Sequence, residues 1–221
     1  MTRALLHLVG WLKVHSAAPQ RRAPIRRALI ALALCLLAPL AQAFDLPALS
    51  AQLGQAAVVR GDFIQEKHLR ALPQPLSSQG RFVLAKEQGL LWLLQTPLPQ
   101  DYRIGAQGIA RRTASGWQAL PQQSANARQN RLFLAVLQGD SSGLQRDFEL
   151  QLQGEAKQWK LTLVPRSLLL KQVFTQINID GGDLVQNIEL LETQGDSTVL
   201  RMQDSTATQP LSDAEQHDFA Q

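Results

Sequence analysis

The 221-residue chain is 45% hydrophobic and 18% charged, with a formal net charge of +4 and one cysteine. All six basic residues before position 44 lie in a segment free of Asp and Glu, so 16 of the 22 Lys and Arg remain beyond it against 18 acidic residues, a balance of −2. Nucleic-acid binding read from basicity and a disulfide framework are therefore both excluded for the body of the chain.

The first element is the stretch APIRRALIALALCLLAPLAQAF, residues 23–44. Arg26 and Arg27 supply a basic n-region, Ala28 to Leu40 an apolar run too short to span a bilayer, and Ala41-Gln42-Ala43 a small-residue cleavage site. The expectation is a signal peptide over 1–43 with an extended n-region, export to the periplasm, and a mature protein starting at Phe44. Met1 to Gln20 reads either as an amphipathic extension or as sequence upstream of the true start. Cys35 sits inside the apolar run after Leu34, which argues against lipidation. Neither arginine pair has the context of a twin-arginine signal. No later apolar run approaches the roughly 20 residues needed to cross a bilayer.

The remaining 178 residues have the size of one domain with a substantial core. Leu46, Leu49, Leu53 and Ala56 recur at helical spacing, with Asp45 as N-cap and Pro47 in the first turn. The period then changes to two. Strands are expected at 58–68, 79–86, 89–95, 101–106, 108–113 and 116–119, and after an interruption at 146–153, 157–164, 171–179, 184–193 and 197–203. Turn signals such as Gln88-Gly89, Ser115-Gly116, Gly154-Glu155 and Gly195-Asp196 separate neighbours, which implies an antiparallel meander. The interruption carries an apolar helical stripe of Leu132, Phe133, Val136 and Leu137, stopped by Gly139, and a second short helix capped by Asp140 or Ser141.

About eleven strands are too many to stay flat, and the sheet should curl toward an incomplete barrel. The fold class expected is mainly β with α: an incomplete antiparallel barrel with an N-terminal helix and a central helical lid over an apolar cavity. The domain spans 44–205, followed by a polar, loosely attached C-terminal tail over 206–221. Runs such as Leu90-Leu91-Trp92-Leu93-Leu94 and Ser167-Leu168-Leu169-Leu170 are apolar on both strand faces, so both faces need cover from protein or ligand.

Catalytic chemistry has little support. Only His68 and His217 lie beyond the signal, no cluster has metal-ligand spacing, and no nucleophile elbow or phosphate loop occurs. The Gly-Asp-Ser triplets at 139–141 and 195–197 fit a helix cap and a hairpin turn. His68 reads as a solvated loop histidine, and Asp180 and Asp183 as residues of a tight Gly181-Gly182 hairpin. No enzyme, metal or cofactor is expected.

Phe63-x-Gln65 on an early strand, Gly80-Arg81-Phe82 opening the next, Gly89-Leu90-Leu91-Trp92 on a third and Pro97 after it resemble the periplasmic outer-membrane lipoprotein carriers, the LolA-like family. The similarity of element order runs to about Gln203. It implies an incomplete barrel whose helical lid shelters acyl chains in transit from inner to outer membrane. The partners implied are an acylated lipoprotein or lipid cargo, an inner-membrane exporter or release complex and an outer-membrane acceptor, with the carrier a monomer. Where typical carriers have an arginine tying barrel to lid, this chain has Lys86, which lacks the planar fork of donors; Arg81 is the other candidate. The C-terminal region is shortened after Gln203.

On that reading the acyl chain is lined by Phe63, Phe82, Leu84, Trp92, Leu94, Ile104, Trp159, Leu161, Phe174 and Ile188 from strands, with Leu132, Phe133, Val136 and Leu137 from the central helix. A one-residue slip in register would exchange inner and outer sets. The competing function is a periplasmic protein-binding or chaperone module without lipid cargo, and further behind it a weak hydrolase or isomerase using His68 or Ser141.

Overall fold

The computed structural model describes residues 44–121, 134–207 and 210–220, with the side chains of Ser141 and Ser142 left aside. The signal-like segment, Leu132 and Phe133 lie outside the described residues. Ala43–Gln221 forms a compact unit of its own.

Helix α1, Leu46–Leu53, starts where expected: Asp45 accepts a hydrogen bond from the Ala48 amide at 2.9 Å and proline occupies its first turn. The strands follow as β1 Val58–His68, β2 Leu76–Ala85, β3 Gly89–Thr96, β4 Gln100–Gly105, β5 Gly108–Thr113 and β6 Gly116–Ala119. A helical turn at 134–137 precedes α2, Ser141–Asp147, whose N-cap Asp140 accepts from the Gly143 amide. Then come β7 Phe148–Glu155, β8 Gln158–Pro165, α3 Leu168–Lys171, β9 Phe174–Gly181, β10 Val185–Glu192, β11 Ser197–Ala207 and α4 Asp213–Ala220.

All eleven strands form one antiparallel sheet in the order β6-β5-β4-β3-β2-β1-β11-β10-β9-β8-β7. The chain is thus two meanders joined through β1 and β11, and β6 and β7 remain as edges, so the barrel is incomplete as expected. Register aligns one apolar set across the whole sheet: Val59 opposite Leu84, Leu84 opposite Leu90, Leu90 opposite Ile104, and Leu161, Ile179, Ile188 and Leu200 in successive partnership. This inner face joins Leu49, Leu53, Val136, Leu137 and Leu144 of the helical segments in the main core.

Three differences from the sequence reading have physical causes. Ser167 to Leu170 is not part of a strand. Ser167 accepts from the Leu170 amide and starts α3, a single turn that leaves Leu168 81% exposed. Strand β7 begins two residues late because α2 runs to Asp147. The last segment is also more than a loose tail: β11 pairs with β1 as far as Ala207, and α4 docks on the outer face of the sheet.

That docking accounts for the run Leu90 to Leu94. Leu90, Trp92 and Leu94 point inward, while Leu91 and Leu93 belong to a second cluster with Val58, Val83, Trp117, Leu211 and Phe219. The outer apolar residues are covered by the chain itself.

Candidate functional site

The inner face between sheet and helices is the candidate site. Its best-defined feature is an aromatic group on β1, β2 and β3. Phe63 stacks on Trp92 with centroids 3.6 Å apart, and Phe82 lies 6.5 Å from Trp92. Two glycines make room for it. Gly80 is the cross-strand partner of Phe63, so no side chain separates Phe63 from Trp92 on β3. Gly61 faces Phe82, and a Cβ there would come within 2.8 Å of the ring. The spaced Phe63, Gly80, Phe82 and Trp92 of the sequence are therefore one packing unit.

The helical cover is held mainly by apolar contact, with a few polar ties at its margin. Ser50 donates to the Gly139 carbonyl, joining α1 to the chain after the 134–137 turn. Gln52 donates to the carbonyls of Gly182, at 2.6 Å, and Ala156, at 3.1 Å. The Gly182 carbonyl also accepts from the buried Trp159 indole at 2.7 Å, which satisfies that donor. Lys86, at the end of β2, donates through Nζ to the Gly54 carbonyl that closes α1, and its own carbonyl accepts from Gln138. A single ammonium thus joins sheet to helix where a guanidinium would offer several donors. Arg81 is exposed on β2.

Between α1, the 134–147 segment and strands β7 to β9 lies a small apolar cavity of about 20 Å³, lined by residues that include Leu46, Leu49, Leu53, Leu144, Leu150 and Ile179. This is room for about one water molecule. Next to it, an open groove of about 510 Å³ runs between α2 and α3, bounded by Phe148, Leu169, Leu170 and Phe174 with Arg146 and Asp147 at its side. Leu144 borders both spaces.

Phe63, Phe82, Leu84, Trp92, Leu94, Ile104, Val136, Leu137, Trp159, Leu161, Phe174 and Ile188 all fall on the inner side, fully or partly buried in the main core. Only Val136, Trp159 and Leu161 line the small cavity, and Phe174 the groove. The rest are packed against other side chains. Leu46, Leu49 and Leu53 of α1 were legible as a helical stripe but not as cavity wall. Leu144, in the short α2, carries no periodic signal that would mark it.

The polar groups elsewhere serve structure. The His68 side chain is 46% exposed, 3.8 Å from Glu66. The first Gly-Asp-Ser caps α2 and the second lies at the β10–β11 turn, where Asp196 accepts from the Arg70 amide. Among the described residues no group of three or more His, Cys, Asp or Glu could hold a metal ion.

Charge is concentrated on the outer face. Arg60 reaches Glu215 of α4 with contacts of 2.9 and 2.6 Å. The guanidinium holds the Glu215 carboxyl down at about 2, against the opposing effect of burial, with the Ser212 amide helping. Arg112 bridges Asp218 of α4, at 2.6 Å, and Asp101 of β4, at 2.8 Å, and both raise its pKa, Asp218 the more. Arg112 and Arg103 flank the Trp117 ring at 4.4 and 5.2 Å.

The sequence profile of the family described as outer membrane lipoprotein carrier protein, LolA-like, matches residues 38–216. The chain belongs to that LolA-like family. A search of curated protein sequences finds no match. Among solved structures, MucB of Pseudomonas aeruginosa in complex with MucA aligns at 14% identity over 76% of this chain and 57% of that chain, with a TM-score of 0.46. A structure of MucB alone aligns at 13% over 79% and 62%, with a TM-score of 0.49. A LolA superfamily protein from Nitrosomonas europaea aligns at 8% over 75% and 93%, with a TM-score of 0.46. The LolA-like chain described here spans less than two thirds of the MucB chains it resembles.

Proposed function

We propose that this LolA-like protein is a periplasmic carrier, exported through the 1–43 signal, that takes the acyl chain of a lipoprotein or another lipid between its sheet and its helical cover. The observation that carries the reading is the apolar contact between one sheet face and helices tied to it by few polar bonds. It is supported by membership of a family described as lipoprotein carriers.

A sixteen-carbon chain left in water costs on the order of 13 kcal/mol, so unassisted crossing of an aqueous compartment is negligible. A cavity of about 20 Å³ cannot hold such a chain. Loading therefore exchanges contacts: α1 and the 134–147 segment move off the sheet, and methylenes replace the leucines that had packed there. Like is exchanged for like, so transfer to the next acceptor is a small downhill step that needs no chemistry or cofactor. Cargo comes from an inner-membrane exporter or release complex and passes to an outer-membrane acceptor, with the carrier acting as a monomer.

Native mass spectrometry on protein purified gently from the periplasm tests this, followed by extraction and identification of lipid. The expected result is a chain beginning at Phe44 with a discrete acylated adduct. Leu137→Glu, placing a charge in the apolar contact of the cover, should abolish uptake of a fluorescent acyl probe while the β-sheet spectrum persists. Bare protein that takes up no acyl probe would overturn the carrier reading and favour a protein-binding module.

A further inference from the structure

The five large hydrophobic residues exposed among the described residues are Leu72, Leu76, Leu98, Leu168 and Leu169. The topology puts all five at one end of the sheet. Leu72 and Leu76 lie at the β1–β2 connection, Leu98 at the β3–β4 connection, and Leu168 and Leu169 on α3 between β8 and β9. Hydrogen bonds join the first and last of these connections through the β10–β11 turn. The Arg70 amide donates to Asp196 of the β10–β11 turn at 2.9 Å, and Thr193 of that turn donates to the Val173 and Gln172 carbonyls just after α3. At the opposite end, the connections at 86–88, 106–107, 156–157 and 182–184 expose no large hydrophobic side chain.

Charge on the leucine-bearing connections has one sign. Arg70 sits in the first, and Arg166 and Lys171 flank α3; all three are exposed, and these connections contain no Asp or Glu. Exposed leucines at such density mark an interaction surface. Their spread along a rim whose leucine-bearing connections carry Arg70, Arg166 and Lys171, with Asp196 confined to the β10–β11 turn between them, fits a planar anionic apolar boundary: leucines enter the acyl margin while the cations meet headgroup phosphates. The groove between α2 and α3, bounded by Leu169, opens beside this same rim.

We propose that this rim docks the protein on the anionic lipid surface of a bilayer. The proposal rests on the carrier reading for the reason that a bilayer is visited, and it assigns which end of the molecule faces it. The test uses the chain from Phe44 onward, a compact unit with its own core, stripped of lipid and floated with vesicles.

The expected result is flotation with equimolar phosphatidylglycerol and phosphatidylcholine, little with phosphatidylcholine alone, and weakening by salt. Leu168→Glu with Leu169→Glu, both at exposed positions, should reduce flotation by roughly tenfold or more. Lys157→Glu, which removes a cation at the opposite end, should leave it unchanged. Absence of flotation with anionic vesicles, or equal flotation of the double variant, overturns the docking surface. Acyl-probe uptake by the same double variant separates the two ideas: uptake retained with docking lost supports the rim, whereas a parent protein that takes up no probe defeats the carrier reading whatever the vesicles show.

Discussion

The two faces of the sheet are covered in different ways. On the inner face α1, the 134–137 turn and α2 bring leucines and a valine to an aliphatic and aromatic surface, and their polar ties are few and marginal. On the outer face α4 buries no residue of its own helix fully, and is held by Arg60, Arg103 and Arg112 acting on the Glu215 and Asp218 carboxylates and the Asp218 and Phe219 carbonyls. An apolar cover can be exchanged for an acyl chain at little net cost. A charged strap is specific in position, and it responds to salt and pH instead. The proposed carrier reading therefore puts cargo under the first and not under the second.

The largest test of the contrast is Phe63→Ala. It removes a fully buried ring stacked on Trp92 and facing Gly80, leaving a hole that neighbouring strands cannot close. Stability should fall by roughly 3–5 kcal/mol, read as a lower urea midpoint with an unchanged slope. Next is removal of α4 by ending the chain at Ser212. That uncovers Val83, Leu91 and Leu93 and should cost about 2–4 kcal/mol. Acyl-probe uptake should survive it, because none of those residues faces inward. Loss of uptake would show that the two faces are coupled.

Smaller again is Glu215→Gln, at about 1 kcal/mol in thermal or urea unfolding, since the pair it breaks is partly exposed. The pH dependence has a definite sign. The Glu215 carboxyl falls from 4.5 to about 2 on folding, so its pairing contributes in full above 4.5 and is lost as pH drops through about 2. Between those values the parent should lose its advantage over the Gln variant, and an advantage unchanged across that window would remove Arg60 and Glu215 as the strap's anchor.

Much of this contrast was legible before any coordinates. Alternating apolar residues and turn dipeptides located eleven strands, and parity put Phe82, Trp92, Trp159, Leu161 and Ile188 on one face. What stayed hidden has common physical features. Helix α3 was read as strand because three leucines in a row have no period, and its exposure depends on Ser167 capping a turn. Helix α4 read as a loose tail because its sequence has no apolar stripe; its anchors Arg60 and Arg112 lie more than a hundred residues earlier. The small size of the apolar cavity depends on how leucines of α1 and α2 interlock with the sheet, which no residue pattern encodes.

The smallest effect belongs to Lys86, and it discriminates most finely. Its ammonium donates to the Gly54 carbonyl at 2.7 Å in an exposed setting, so Lys86→Ala should change stability by only about 0.5–1 kcal/mol. The bond nevertheless sits where α1 meets the sheet, at the edge of the cover that moves in the proposed loading step. If that cover opens as a unit, a bond present only in the closed form slows opening by its own free energy, so acyl-probe uptake should quicken about two- to fivefold in Lys86→Ala. Lys86→Arg, able to make further donations to the same helix end, should slow it. The paired variants thus separate a latch from a surface contact: rates that track the number of donors at position 86 place the opening at α1, while equal rates in all three proteins place it at α2, where Leu144 borders both the groove and the small cavity.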